Sequence, residues 1–106
     1  MPKYLIAASY TPEGFRGLAK DTASGRQKAV HEAIVAVGGK LESLHFALGD
    51  ADVYVVADCP DNLSAARLAV AVCSTGLVRT KTIPLFTAEE ADGFFSKPVP
   101  YRAPGT

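Results

Sequence analysis

The segment spanning residues 41–58 constrains the fold most, because it has the pattern of two strands joined by a bend. On either side of Gly49 and Asp50, every second residue is apolar and belongs to one common face: Leu44, Phe46, Leu48, Val53, Val55 and Ala57. A period of two with β-branched and aromatic residues is typical of strands. Gly49-Asp50 is suited to a two-residue turn, since glycine adopts positive φ without steric cost.

Closing the hairpin at this turn predicts which residues face each other across the two strands. The predicted pairs are Phe46–Val53, Leu44–Val55, His45–Tyr54 and Ala47–Asp52. A shift by one residue would exchange the two faces, so the apolar pattern fixes the register. One face is apolar, and the other carries His45 and Tyr54.

The rest of the chain reads as alternating strands and helices. Residues 4–10 are predicted to form the first strand, and Thr11-Pro12 begins a helix that residues 21–25 interrupt. From Arg26 an apolar stripe of Val30, Ala33, Ile34 and Val37 predicts a clean helix, which Gly38-Gly39 ends. A second helix follows Pro60, with Leu63, Ala66, Val70, Cys73 and Leu77 as its main apolar face. Residues 78–85 form the last strand, and a short helix runs from Thr87 to near Phe95.

The order βαββαβ predicts an α+β fold of the ferredoxin-like type. We expect a four-stranded antiparallel sheet with both helices on one face, the first and third strands being central, plus a short C-terminal helix. Residues 1–96 are predicted to form one domain, and the Pro/Gly-rich residues 97–106 a tail.

This arrangement leaves one face of the sheet uncovered. By the strand parity, that face carries His45, Tyr54, Val56, Arg79, Lys81 and Ile83. Since charged side chains are disfavoured beneath the helices, Arg79 and Lys81 are expected to point outward. An open face with apolar residues tends to pack on something, so we expect a homodimer or higher homo-oligomer.

Composition limits the partners. The 106 residues carry a formal net charge of zero, which offers no general attraction to nucleic acid or anionic lipid. No leader and no apolar run of about 20 residues is present, so we expect no membrane association and a cytoplasmic location. Cys59 and Cys73 fit no zinc or redox spacing and are predicted to be buried free thiols.

Several short stretches resemble the GYD-domain proteins, which are small and mostly bacterial. They comprise Tyr10-Thr11 with Gly14, Gly39-Lys40-Leu41, Leu48-Gly49 with Asp52, Cys59-Pro60-Asp61, Val78-Arg79-Thr80 and Phe86-Thr87. The resemblance covers about residues 3–90 and implies a ferredoxin-like, dimeric α/β-barrel type of architecture, with no settled activity. The family usually has Tyr just before the hairpin Asp, where this sequence has Ala51.

Candidate site residues lie on the open face. His45 is a candidate general acid or base because its ordinary pKa is nearest neutrality, and Tyr54 could share a proton with it. Arg79 and Lys81 are candidate ligand-binding cations, and Asp52 could orient His45 or polarise a substrate. The alternative is that His45–Tyr54 is a cross-strand packing pair and Arg79 an interface ion-pair partner.

Two functions follow from these residues. The first is a homo-oligomer that binds a small organic molecule without catalysis. The second is a cofactor-independent isomerase, dehydratase or oxygenase that acts on a small organic acid or aromatic compound, an analogy from fold alone. The sequence indicates no cofactor and no metal: Asp50, Asp52 and Asp58 are more simply explained by turns and strand ends, and His31 by a helix boundary.

Overall fold

The fold is a four-stranded antiparallel sheet with helices on one side, as a computed structural model of all 106 residues describes it. In chain order the elements are β1 (Lys3–Tyr10), α1 (Pro12–Asp21), α2 (Ala23–Ala36), β2 (Lys40–Phe46), β3 (Val53–Asp58), α3 (Asn62–Cys73), β4 (Val78–Leu85) and α4 (Ala88–Ser96). The strand order is β2-β3-β1-β4. The α+β, ferredoxin-like prediction with β1 and β3 central is therefore confirmed.

The core lies between the sheet and the helices, and it follows the period of two. Alternate residues of β1 and β3 are buried there: Tyr4, Ile6, Ala8, Val53, Val55 and Ala57. Ile34 from α2 and Leu68 from α3 complete the same cluster, with Ile34 fully buried. Burying each of the larger side chains contributes roughly 1.5–3 kcal/mol. The predicted apolar stripe of the first long helix is confirmed, since Val30, Ala33 and Val37 pack against this cluster.

The junction between β1 and α1 is tightly fixed. The Thr11 hydroxyl accepts a hydrogen bond from the Gly14 amide at 3.1 Å, which caps the helix as predicted. The Thr11 amide donates to the Leu77 carbonyl at 2.9 Å and ties this corner to the start of β4. Gly14 is required at this approach, because a Cβ there would stand 2.3 Å from the Leu77 carbonyl oxygen.

The first crossover contains two helices, where the sequence predicted one interrupted helix. Thr22 adopts φ 69°, in the left-handed region that a threonine rarely occupies, and the chain bends there. The Thr22 side chain caps α2 by accepting from the Gly25 amide at 3.1 Å, and Arg26 pairs with Asp21 across the bend at 3.3 Å. The interruption is thus in the predicted place, but it is one residue long, because Thr22 caps the next helix immediately.

The hairpin register is confirmed, whereas the two-residue turn is wrong. Phe46 faces Val53, Leu44 faces Val55 and His45 faces Tyr54, with an irregularity between Leu41 and Ser43. The predicted Ala47–Asp52 pair is joined by a hydrogen bond from the Ala47 amide to the Asp52 carbonyl at 2.8 Å, and four residues rather than two connect them. Asp52 also binds β1. Its amide donates to the Ala8 carbonyl at 2.8 Å, and its carboxylate accepts from the Tyr10 amide at 2.9 Å.

The face of α3 that contacts the sheet differs from the prediction. Leu63 and Val70 are 72% and 64% exposed, while Ala65 and Leu68 are buried. A helix that is apolar nearly all round does not define one buried side from its sequence, and the small Ala65 allows the close approach to the sheet. Cys59 is buried as predicted, but Cys73 is exposed at the last residue of α3, where its sulfur lies 3.4 Å from the Thr80 hydroxyl of β4.

The chain beyond β4 extends away from this body. We call residues 86–106 the C-terminal arm; it contains α4, and residues 97–106 hold no helix or strand. The radius of gyration is 16.8 Å, against about 13 Å for a compact domain of this length, and the longest axis is 56 Å. The arm therefore does not cover the open face of the sheet.

Candidate functional site

The candidate site lies on the face of the sheet opposite the helices, here called the open face. Strand register places six predicted residues on that side, away from the buried set: His45, Tyr54, Val56, Arg79, Lys81 and Ile83. Leu5 and Ala7 of β1 lie between them, because Leu5 faces Ile83 and Ala7 faces Lys81. The floor of the open face is thus apolar, with polar groups at its margins.

A cavity of about 370 Å³ is formed on the open face beside the hairpin loop. Three of the predicted site residues line it: Tyr54, Arg79 and Lys81. The other lining residues are Ala7, Ser9, Asp50, Ala51, Thr80 and Ile83. The structure therefore brings together the tyrosine and both cations, while His45 and Asp52 lie outside the lining.

The electrostatics of the open face differ between its two ends. At one end Lys3 forms ion pairs with Glu42 and with Asp58, the pair with Asp58 having a distance of 3.0 Å. These hydrogen bonds raise the pKa of Lys3, and the bond with Glu42 has the larger effect. At the cavity end neither Arg79 nor Lys81 forms an ion pair. Asp50 is the acidic residue in the lining, so the cavity has a net positive charge.

The predicted catalytic group is not assembled as expected. His45 and Tyr54 are directly opposed on β2 and β3, but no hydrogen bond joins their side chains. The Asp52 carboxylate accepts a hydrogen bond from the Tyr10 amide, which holds the hairpin loop on β1, and it forms no hydrogen bond with His45. This geometry agrees with a cross-strand packing pair.

Sequence reasoning missed part of the lining. Ser9 of β1 lies opposite Arg79 of β4. Strand alternation could have predicted that Ser9 lies on the open face, once β1 and β4 were known to pair. Ala51 is 5% exposed and lines the cavity, although it lies in a polar loop with no periodic signal. The side chain of Ala51 is smaller than the tyrosine that the family usually has at this position, so it leaves more space in the cavity.

The remaining chemistry of the surface is limited. No group of three or more His, Cys, Asp or Glu side chains is arranged to hold a metal ion. No helix in the structure combines the length and the apolar character that a membrane span requires. The arrangement offers hydrogen-bond donors and positive charge over an apolar floor.

Comparison with known proteins gives one match. A family model described as the GYD domain matches residues 4–95. The match includes every strand and helix, apart from Lys3 at the start of β1 and Ser96 at the end of α4. No curated protein and no solved structure matches the chain.

Proposed function

Because the chain belongs to the GYD-domain family, we propose that it is a homo-oligomer that binds a small organic anion in the cavity of the open face. One observation carries the proposal: Arg79 and Lys81 line a concave apolar floor and have no ion-pair partner in their own chain. Two unpaired cations beside apolar surface favour an anion with an apolar body.

The lining groups fit such a ligand. The Arg79 guanidinium can donate two parallel hydrogen bonds to a carboxylate, and Lys81 adds a second positive charge. The Tyr54 hydroxyl can donate a further bond, and Ile83 and Ala7 offer apolar contact to the ligand body. A volume of about 370 Å³ lies within the usual range of small-molecule sites.

Self-association would complete the site. The open face is 44% exposed at Ile83 and 37% at Tyr54, and a second copy placed over it would remove this surface from water. A formal net charge of zero opposes such contact only weakly. In a twofold dimer the same face would serve both copies, so each cavity would be closed by the partner.

Binding without catalysis is the better supported of the two functions. A general acid or base must reach the proton that it transfers, and His45 is not among the residues of the cavity. Tyr54, Arg79 and Lys81 can position a ligand but do not form a nucleophile and base pair.

Benzoate, a carboxylate on an apolar ring, is a suitable probe, titrated by isothermal calorimetry. We expect Arg79→Ala to weaken its binding about tenfold, as expected when a charge-assisted hydrogen bond is lost. Arg67→Ala is the matched control, because Arg67 is an exposed arginine on α3, beyond the other side of the sheet. His45→Ala should leave the affinity unchanged. Equal binding by wild type and Arg79→Ala would contradict the proposal.

A further inference from the structure

A second cavity of about 430 Å³ lies on the helix side of the molecule. This cavity lies between α3 and the crossover formed by α1 and α2. The space exists because α2 packs on β2 and α3 packs on β4, so that neither α1 nor α2 packs extensively against α3. We call it the interhelical cleft. It is separated from the cavity of the open face by the sheet, and the two share no lining residue.

Small residues keep the interhelical cleft open. Gly14 and Gly17 of α1, Ala33 of α2 and Ala71 of α3 all line it, so no large side chain fills the space between the helices. Leu18, Val72 and Leu77 supply apolar wall. In particular, a Cβ added at Gly17 would have no atom within 4 Å. Gly17 and Ala71 are exposed, so the cleft is a groove open to solvent, of a size and apolarity that small-molecule sites have.

The strained residue of the chain lies beside this cleft. Thr22 is the single non-glycine residue with positive φ, and it lies at the bend between α1 and α2. Its neighbour Asp21 and the paired Arg26 form the mouth of the cleft. Backbone strain of this kind costs of order 1–3 kcal/mol. Residues in such strained conformations cluster at functional sites.

The polar groups define the ligand class. The charges of Asp21 and Arg26 cancel each other at the mouth, in contrast to the positive cavity on the open face. Tyr10 lines the cleft, and its hydroxyl has no hydrogen-bond partner in the protein, since the hydrogen bond with Asp52 is donated by the Tyr10 backbone amide. An apolar wall, a mouth whose charges cancel and the Tyr10 donor suit an uncharged, mainly apolar molecule with an oxygen acceptor.

We infer that the interhelical cleft is a second binding site, for a small neutral aromatic or aliphatic compound whose carbonyl or ether oxygen accepts a hydrogen bond from Tyr10. The apolar body lies between Leu18 and Val72. The site is independent of the anion site on the open face.

Acetophenone tests this assignment, because it joins an apolar ring to one carbonyl. In full-length protein labelled at methyl carbons, we expect saturable shifts of the Leu18, Ala33, Ala71 and Val72 methyl signals, with an affinity on the order of millimolar or tighter. Benzoate should leave these signals unmoved at the same concentration. Absence of saturable binding, or shifts confined to open-face residues, would overturn the inference.

Substitutions at Gly17 and Tyr10 separate binding from stability. Gly17→Leu fills the gap and should abolish the acetophenone shifts, whereas Gly17→Ala should preserve them; both variants replace a helical glycine and should unfold at no lower temperature than wild type. Tyr10→Phe keeps the ring and removes the donor, so binding should weaken roughly three- to tenfold. Acetophenone binding that survives both Gly17→Leu and Tyr10→Phe would exclude this site.

Discussion

Gly14 and Gly17 are nearly one turn apart in α1 but have opposite surroundings. An added Cβ at Gly14 would stand 2.3 Å from the Leu77 carbonyl oxygen, which is backbone and cannot turn away, while at Gly17 it would meet nothing within 4 Å. We expect Gly14→Ala to lower the free energy of unfolding by about 1–3 kcal/mol, as overpacking does. Gly17→Ala, its matched control, should raise it by up to about 1 kcal/mol, because alanine favours the helix.

Urea unfolding of the two variants and wild type checks this contrast. An unfolding free energy for Gly14→Ala equal to that of wild type would mean that the contact between α1 and the start of β4 is looser than the structure describes.

Asp61 couples the stability of α3 to pH. Its carboxylate accepts a hydrogen bond from the Ser64 amide at 2.8 Å, and this bond holds the pKa of Asp61 below its ordinary value of 3.8. A depressed pKa in the folded state stabilises the protein above the unfolded pKa, and that contribution disappears as pH falls through the folded value. Asp61→Asn retains a capping oxygen but does not titrate.

The expected result is a stability difference that depends on pH. Wild type should exceed Asp61→Asn in unfolding free energy at neutral pH, and the difference should shrink between about pH 5 and pH 2, as urea unfolding across this range would measure. Parallel curves for the two proteins would show that the Asp61 charge does not contribute to the cap.

Residue roles were predictable where periodicity determines them and not elsewhere. Parity correctly placed Tyr54, Arg79 and Lys81 on the open face, because successive strand residues alternate sides. Asp52 could not be assigned in this way. Its carboxylate binds the Tyr10 amide, and that contact exists only because β3 pairs with β1, far away in the sequence.

Among the elements, the packing of the strands was easier to predict from sequence than the packing of the helices. The hairpin register followed from alternating residues in β2 and β3. The buried side of α3 did not follow, since residues 68–73 are apolar without a break and several helix faces could meet the sheet. The interruption within residues 21–25 was predicted, but the positive φ of Thr22 was not, because no local rule predicts a threonine in that conformation.

The C-terminal arm contains a helix that its own chain does not support. α4 has a capping box between Thr87 and Glu90 and an edge-on contact of Phe94 with Phe86, yet it has nine residues and no extensive contact with another element. Isolated helices this short are marginal in water, so α4 needs a surface to pack on. Phe94 and Phe95 are 52% and 80% exposed and are the side chains available for that contact.

Replacing both phenylalanines by serine should therefore weaken self-association without unfolding the body. We expect a dimer dissociation constant raised at least about tenfold, as the loss of one or two buried aromatic contacts implies, with an unchanged strand signal in circular dichroism. Leu63→Ser is the control, because Leu63 is 72% exposed on α3, at the opposite side of the sheet. If both proteins associate like wild type, the arm does not take part in assembly.

For the whole molecule, the exposed apolar residues are the feature least expected of a domain that is stable as a monomer. Of 106 residues, 12 are buried, and large apolar side chains are exposed both on the open face and along the C-terminal arm. Large exposed apolar patches on soluble proteins often mark interaction sites, so we expect a second copy to cover this surface. The proposed anion site would depend on this assembly, because a partner would close the cavity over the ligand.

Sedimentation equilibrium of the full-length protein at micromolar concentration tests the central claim most directly. We expect a mass of at least twice the 11.1 kDa of one chain. A mass of 11.1 kDa that does not rise with concentration would contradict it, since the open face would then remain in contact with water.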